Sequence, residues 1–506
     1  MGTSFVSPGV YVQERDFSQF VPSLSATIVG MIGTATRGPV LTPTLVTDMN
    51  SLAANFGVFN TNHLAIYAAS QYLQAGRQLI FVRVGHSGTA ASDLASAAVT
   101  LQDTVPSNTL TVTANTQGSW ANYGTNSNNR PVGVQIQITT ASLGSSGYKL
   151  NVLYQNALVE SYDNLSNASS PPTGFTSPTT AINSVSSYIT VAKLLTTNPV
   201  AGTFSMAGGA DGYQNLSNSD VIAGINLLQN PDQYNINVLC VPGNSNDSVI
   251  SQILTVAQNR TDCIGLIDPP LGLGTVQAAV DFSNGTGSYT GHSQLNSSYG
   301  SLYWPWVQIF DDFNNLDVYI PPSSFACYAY AYTDANFDPW YAPAGLTRGR
   351  ILNGLATEVA LTQGDRDYLY TQNVNPIYNM PGQGIVIWGQ KTLYRTPSAL
   401  DRVNVRRLLI YTEKAIAAAT RFLVFEPNNP RTWRAFINLV TPFLTSIQAA
   451  NGITSFSIVC DATTNTPSVI ENNQMVGQLW IKPTLTAEMI TLQFIVTDQS
   501  VVFSTT

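Results

Sequence analysis

Five runs dense in aliphatic and aromatic residues punctuate the chain: ATIVGMIGTA (26–35), QLIFVRVG (78–85), NINVLCVP (235–242), CIGLIDPP (263–270) and SLYWPWVQIFDD (301–312). Short apolar runs bounded by turn-forming residues read as buried strands. Segments with helical spacing lie between them, around 48–56, 62–75, 219–229 and 246–259, with a further helix starting near Thr275 and another over 323–337. Strands alternating with helices point to an α/β unit. The glycine- and proline-rich stretch 340–400 contains a hairpin pattern in NMPGQGIVIWGQKTLY.

One block breaks the series. From His86 to Ser205 there are only seven charged residues, and Ser, Thr, Asn and Gly abound. Val132, Val134, Ile136 and Ile138 alternate with polar residues, the period of a half-buried strand, and the only extended helical pattern falls near 181–195. The block reads as a β-rich domain inserted into the α/β unit. After Gly208–Gly209–Ala210–Asp211–Gly212 the α/β pattern resumes.

In the last hundred residues a helix is predicted over about 398–425, with Val405, Leu408, Leu409, Ile416 and Phe422 on one face. A second starts at Pro430 and stops at Asn451–Gly452, with Trp433, Phe436, Ile437, Val440, Leu444 and Ile447 apolar and a kink expected at Pro442. Two strands follow, FSIVCD and LTAEMITLQFIVTD, and then a tail with β-propensity. The first 25 residues alternate like a strand but have no amphipathic helix to cover them. The fold class is therefore α/β (α+β) and multidomain. Its parts are an arm (1–25), a discontinuous α/β domain (26–85 and 206–395), the β-rich insertion (86–205), a C-terminal domain (396–489) and a second arm (490–506).

Hydrophobic residues make up 44% of the 506, enough for a sizeable core, whereas only 10% are charged. A chain with so few charges has little to hold it away from its own copies, which suits a polymer subunit, although a Ser/Thr/Asn-rich extracellular protein has the same composition. The net charge of −8 argues against general nucleic-acid binding. The N-terminus lacks a secretory pattern, and no run approaches the length of a membrane span. Cys240, Cys263, Cys327 and Cys460 contain no CxxC, and buried free thiols are expected.

Catalytic constellations are missing from the pattern. His63, His86 and His292 have no metal-ligand spacing, and Gly85–His86–Ser87–Gly88 lacks the register of a nucleophile elbow. Gly272–Leu273–Gly274 sits between a strand and a helix, but Gln277 stands where a dinucleotide loop needs glycine, so a tight turn is expected. No enzyme, cofactor or metal site is predicted. Two features concern interaction instead. Residues 391–434 carry +6, leaving −14 elsewhere, and Arg407, Lys414 and Arg421 recur every seven residues along one helix. Such a stripe is either a solvated face or a surface that docks on an acidic partner. Both termini also offer strand-like segments, which either pair within their own subunit or are exchanged between subunits.

SPGVYVQERDFS followed by VGMIGTATRGPVLTPTLVTDMNSLAANFG resembles the opening of contractile phage tail sheath proteins. GGADG (208–212), PPSS…CYAYAYTDA…WYAPAG (321–345), VNVRRLLIYTEKAIAAATRFLVFEPNNPRTWRAFI (403–437) and GQLWIKPTLTAEMITLQFIV resemble the same family in the same order; the 86–205 block does not. The resemblance implies a structural subunit that polymerises as stacked hexameric rings around a tail tube. Contraction on a baseplate signal would drive the tube through the host envelope. It implies partners in the tube, baseplate and tail terminator proteins, with no direct nucleic acid and no membrane insertion, and a place in the virion tail after assembly in the host cytoplasm. It makes Val10, Tyr11, Val12, Gln13, Leu492, Phe494, Val496, Val501, Val502 and Phe503 inter-subunit strand residues, and Arg407, Lys414 and Arg421 tube-facing. The sheath of a bacteriocin-like or other contractile injection system, and less closely a glycan-binding protein, are the alternatives.

Overall fold

A computed structural model describes residues 27–126 and 128–491. The inter-subunit strand residues predicted at 10–13 and 492–503 lie outside them. The chain divides into two compact units, one ending at Phe422 and the other beginning at Leu423.

The first unit is organised by an eight-stranded sheet. Its strands are β1 (Ile28–Gly33), β2 (Thr44–Val46), β3 (Gln78–Arg83), β4 (Val238–Cys240), β5 (Ile264–Ile267), β6 (Gly300–Trp304), β7 (Asn375–Met380) and β8 (Gly384–Ile387), in the spatial order 2-3-1-4-5-6-7-8. The six inner strands run parallel, and β2 and β8 close the edges antiparallel. Parallel strands need helical crossovers, and the expected helices supply them. They are α1 (Met49–Phe56), α2 (Leu64–Leu73), α3 (Asn218–Asn226), α4 (Asp247–Arg260), α5 (Val276–Asn284) and α6 (Pro322–Asn336); α7 (Val403–Thr420) follows the last strand and adds Val403 and Ile410 to the core. Their starts follow from local chemistry: Asp48 caps α1 in a reciprocal capping box, and the Thr275 hydroxyl accepts from Ala278 N at α5.

Alternation along β1 divides the core. Val29 and Met31 face a layer with Tyr67, Tyr72, Phe325, Tyr330, Val403 and Ile410, whereas Ile28 and Ile32 face Val221, Ile225, Ile253 and Phe282. Each fully buried large side chain of this kind is worth about 1.5–3 kcal/mol, so both layers are needed to hold the sheet. Gly33 lets β1 approach α2; a Cβ there would lie 2.2 Å from the Ala65 Cβ.

The inserted block is β-rich. Val134–Ala141, Gly144–Tyr154, Ala157–Leu165 and Gly202–Ser205 form one antiparallel sheet, and Ala98–Gln102, Asn108–Ala114 and Ile189–Lys193 another. Val134, Ile136 and Ile138 are buried together with Leu150, Val152 and Trp120 in a third core.

Three expectations change. The helical pattern at 181–195 resolves into a five-residue helix, Pro178–Ile182, and the strand Ile189–Lys193, because Ile189 and Val191 alternate inward and pair with Ala114 and Val112. The run 301–312 is two strands, since Pro305 has no N–H to continue a ladder and the chain leaves the main sheet for a small one (Val307–Asp311, Leu316–Ile320, Gly354–Thr357). Finally, the strand LTAEMITLQFIVTD is not formed over its described part, 485–491; GQLWIKP supplies the strand instead.

The second unit contains α8 (Pro430–Ala449), capped by Asn429 and continuous through Pro442. It buries Trp433, Phe436, Val440, Leu444 and Ile447 and packs on a two-stranded antiparallel sheet, Ile453–Val459 with Gln478–Pro483.

Candidate interaction surfaces

In open α/β sheets a ligand crevice lies outside the carboxyl ends of the strands where strand order reverses, here between β1 and β4. Protein groups fill that position. Thr34, just after β1, and Asp211 pair with the two ring nitrogens of buried His63 at 2.8 and 3.1 Å. Asp211 also accepts from Ser119 N and Oγ at 2.6 and 2.7 Å. Burial opposes ionisation of Asp211, but the bonds from His63 and Ser119 outweigh it and hold the carboxyl below its ordinary value. Arg83, the last residue of β3, is fully buried and donates to Gly38 O and Gln117 O. Burial pulls its guanidinium down to about 10 against the pull of Asp211. Gly118 is obligatory in this knot: its φ is +135°, and a Cβ would sit 1.9 Å from Thr36 O.

Beside the knot, Arg37 places its guanidinium 4.2 Å from the Trp120 ring and 5.0 Å from the Tyr188 ring and donates to Ser187 O. Three separate stretches of the chain, 34–38, 83 and 117–120, thus clamp the insertion to the sheet. Sequence reading missed this cluster, because its members are scattered and meet only through the sheet's topology. GGADG at 208–212 was the one visible sign of it.

The basic helix is also different from its sequence image. Arg407 is buried, ion-paired with Asp334 and stacked 4.6 Å from the Tyr330 ring centroid. Lys414 has 12% of its side chain exposed and donates to Ile236 O at 2.6 Å and Asn235 Oδ1 at 2.8 Å, with Asp262 at 3.3 Å. Burial lowers its ammonium pKa, and Asp262 opposes that shift. Arg421 alone is open, 78% exposed and 3.6 Å from equally open Asp232. Heptad spacing aligned the three residues without fixing their depth, so the expected surface stripe reduces to its last member.

Gly272 and Gly274 both have positive φ in a turn. All four cysteines are free and buried, with Cys240 and Cys327 Sγ 3.9 Å apart. Among the described residues no group of His, Cys, Asp or Glu is arranged to hold a metal, and no helix is long and apolar enough to cross a membrane.

In the second unit, Ile453–Val459 and Gln478–Pro483 pair only with each other among the described residues. Each therefore has an outer edge of backbone donors and acceptors open to another strand.

Comparison with known proteins places these features. Residues 214–393 match the phage tail sheath protein central domain, and residues 395–497 the phage tail sheath C-terminal domain. The tail sheath protein of Vibrio phage KVP40 is 32% identical over 344 residues, which are 64% of this chain and 50% of that protein. The chain thus spans about half the length of that relative. Among solved structures, the sheath tail protein of Desulfitobacterium hafniense superposes with a TM-score of 0.64 at 11% identity, covering 90% of this chain and 94% of the other. A PVC sheath complex of an extracellular contractile injection system, in its contracted state, gives 0.56 at 17% identity and covers 98% of each chain. With the two domain matches lying end to end across the second half of the first unit and the second unit, this chain belongs to the phage tail sheath protein family.

Proposed function

We propose that the protein is the structural subunit of a contractile tail sheath, polymerising with itself as stacked hexameric rings around a tail tube. The observation that carries this reading is the two-stranded sheet of the second unit, whose outer edges are open among the described residues. Strand addition from a neighbour would satisfy those backbone groups and join subunits by hydrogen bonds that survive a change in lateral packing. The strand-like sequences around Val10–Gln13 and from Leu492 to Phe503 are the donors in this scheme.

Lateral interfaces between subunits then repack between an extended and a contracted arrangement, as bistable elements do. Release by the baseplate lets the contracted packing win, and the tube is driven through the host envelope with no nucleotide needed. Tube, baseplate and terminator proteins are the partners, and Arg421 is the tube-facing member of the basic helix. The tail is assembled in the host cytoplasm. A second reading, the sheath of a non-phage contractile injection system, is favoured by the full-length likeness to the PVC sheath fold.

Negative-stain electron microscopy of the full-length chain beside a version lacking residues 1–25 tests the scheme. Tubular polymers from the full-length chain alone are expected. Polymers from both would remove the N-terminal strand from the mechanism, and monomers from both, even with a tail tube present, would overturn the sheath reading.

A further inference from the structure

Past α7 the chain makes a short 3-10 turn, Arg421–Leu423, and enters Val424–Phe425–Glu426. Phe425 is fully exposed, and its backbone φ is +72°. Bulky L-residues rarely adopt that conformation. Phe422 and Val424 are exposed as well, so three consecutive-turn apolar side chains stand in water on a strained tip.

The first unit offers a hollow of matching character. A cleft of about 540 Å³ opens between α1, α2 and the strand Val307–Asp311, walled by Met49, Leu52, Phe59, Tyr67 and half-exposed Phe310. Its volume accommodates a phenylalanine with a neighbouring aliphatic side chain. The charges correspond too: exposed Glu426 directly follows the aromatic tip, and exposed Arg130 lines the cleft.

Tip and cleft are different surfaces. A contact between them in two copies is therefore heterologous, and a heterologous contact that does not close on itself propagates a helix. We propose that Phe425 of one copy seats in the Met49–Phe310 cleft of a neighbouring copy, with Glu426 set against Arg130. The contact rests on the reading of the chain as a self-polymerising subunit and adds a lateral lock to the exchange of strands.

The test uses the full-length chain under conditions where it polymerises. Glu426→Arg and Arg130→Glu should each lower polymer yield about tenfold or more by setting like charges opposite one another. The double variant should recover the wild-type yield, and circular dichroism melts should be unchanged throughout. A photo-cross-linking residue at position 425, in mixtures of isotopically heavy and light copies, should give heavy–light adducts on peptides from 49–74 or 307–313. No rescue by the double variant, or adducts confined to one copy or to the tube protein, would overturn the contact while leaving the sheath reading intact. Failure of the wild-type chain to polymerise even on a tube would overturn both.

Discussion

Arg407, in α7, and Arg421, at its C-terminal cap, are two heptads apart, carry the same charge, and behave as different kinds of residue. Arg407 is enclosed by Asp334, Tyr330 and Thr27, with only 7% of its side chain exposed. Arg421 faces Asp232 in open solvent, where water and salt screen the pair. Position along the helix sets direction, but the neighbouring elements set depth, and depth decides whether a cation is structural or available.

The widest separation of the two ends comes from removing Asp334. Asp334→Ala leaves the Arg407 guanidinium buried without its counter-charge and should destabilise the first unit by about 3–5 kcal/mol in urea unfolding. A loss below about 1 kcal/mol would place Arg407 in the same class as Arg421.

Asp268 extends the comparison to a buried charge with only neutral donors, Gly243 N, Ser323 N and Ser323 Oγ. Burial raises its carboxyl from 3.8 to about 6. The folded state therefore holds a proton that the unfolded state has already lost, and this group's contribution falls as pH rises from about 4 to about 6. The expected change is roughly 2–3 kcal/mol. Comparing wild type with Asp268→Asn over that range should show the slope only in the wild type.

Lys414 is intermediate, because Asp262 keeps Arg260 when the lysine is lost. Lys414→Met should cost about 1–2 kcal/mol in the same unfolding measurement. At the open end, Arg421→Glu should move stability by no more than about 0.5 kcal/mol. Its effect should be on co-sedimentation with tail tubes, which weakens if Arg421 faces the tube.

Legibility from sequence followed the same division between local and distant causes. Helix starts at Asp48, Thr275 and Pro430 were readable because each cap acts on residues two or three positions away. The β-rich character of the 86–205 block was readable from its loss of charge and its period of two. The depth of Arg407 was not, since Asp334 lies 73 residues away in sequence. The strand Ile189–Lys193 was mistaken for helix because its partner, Asn108–Ala114, is equally remote. The knot at Asp211 combines residues from five stretches, around 34–38, 63, 83, 117–120 and 211, and no periodicity announces such a meeting.

That knot also governs how the insertion could be exchanged. Its two ends leave the sheet together, with His86 N bonded to Gly212 O at 2.9 Å, so a short bridge could close the gap and a foreign domain could be grafted there. A cut made at those ends, however, would take Gln117, Ser119 and Asp211 with it and leave Arg83 and His63 facing a void. An interchangeable module therefore has to bring its own groups to meet Arg83 and His63, as Gln117, Ser119 and Asp211 do here. The requirement on a replaceable cassette is chemical: it is set by a buried arginine, Arg83, and not by the change in composition.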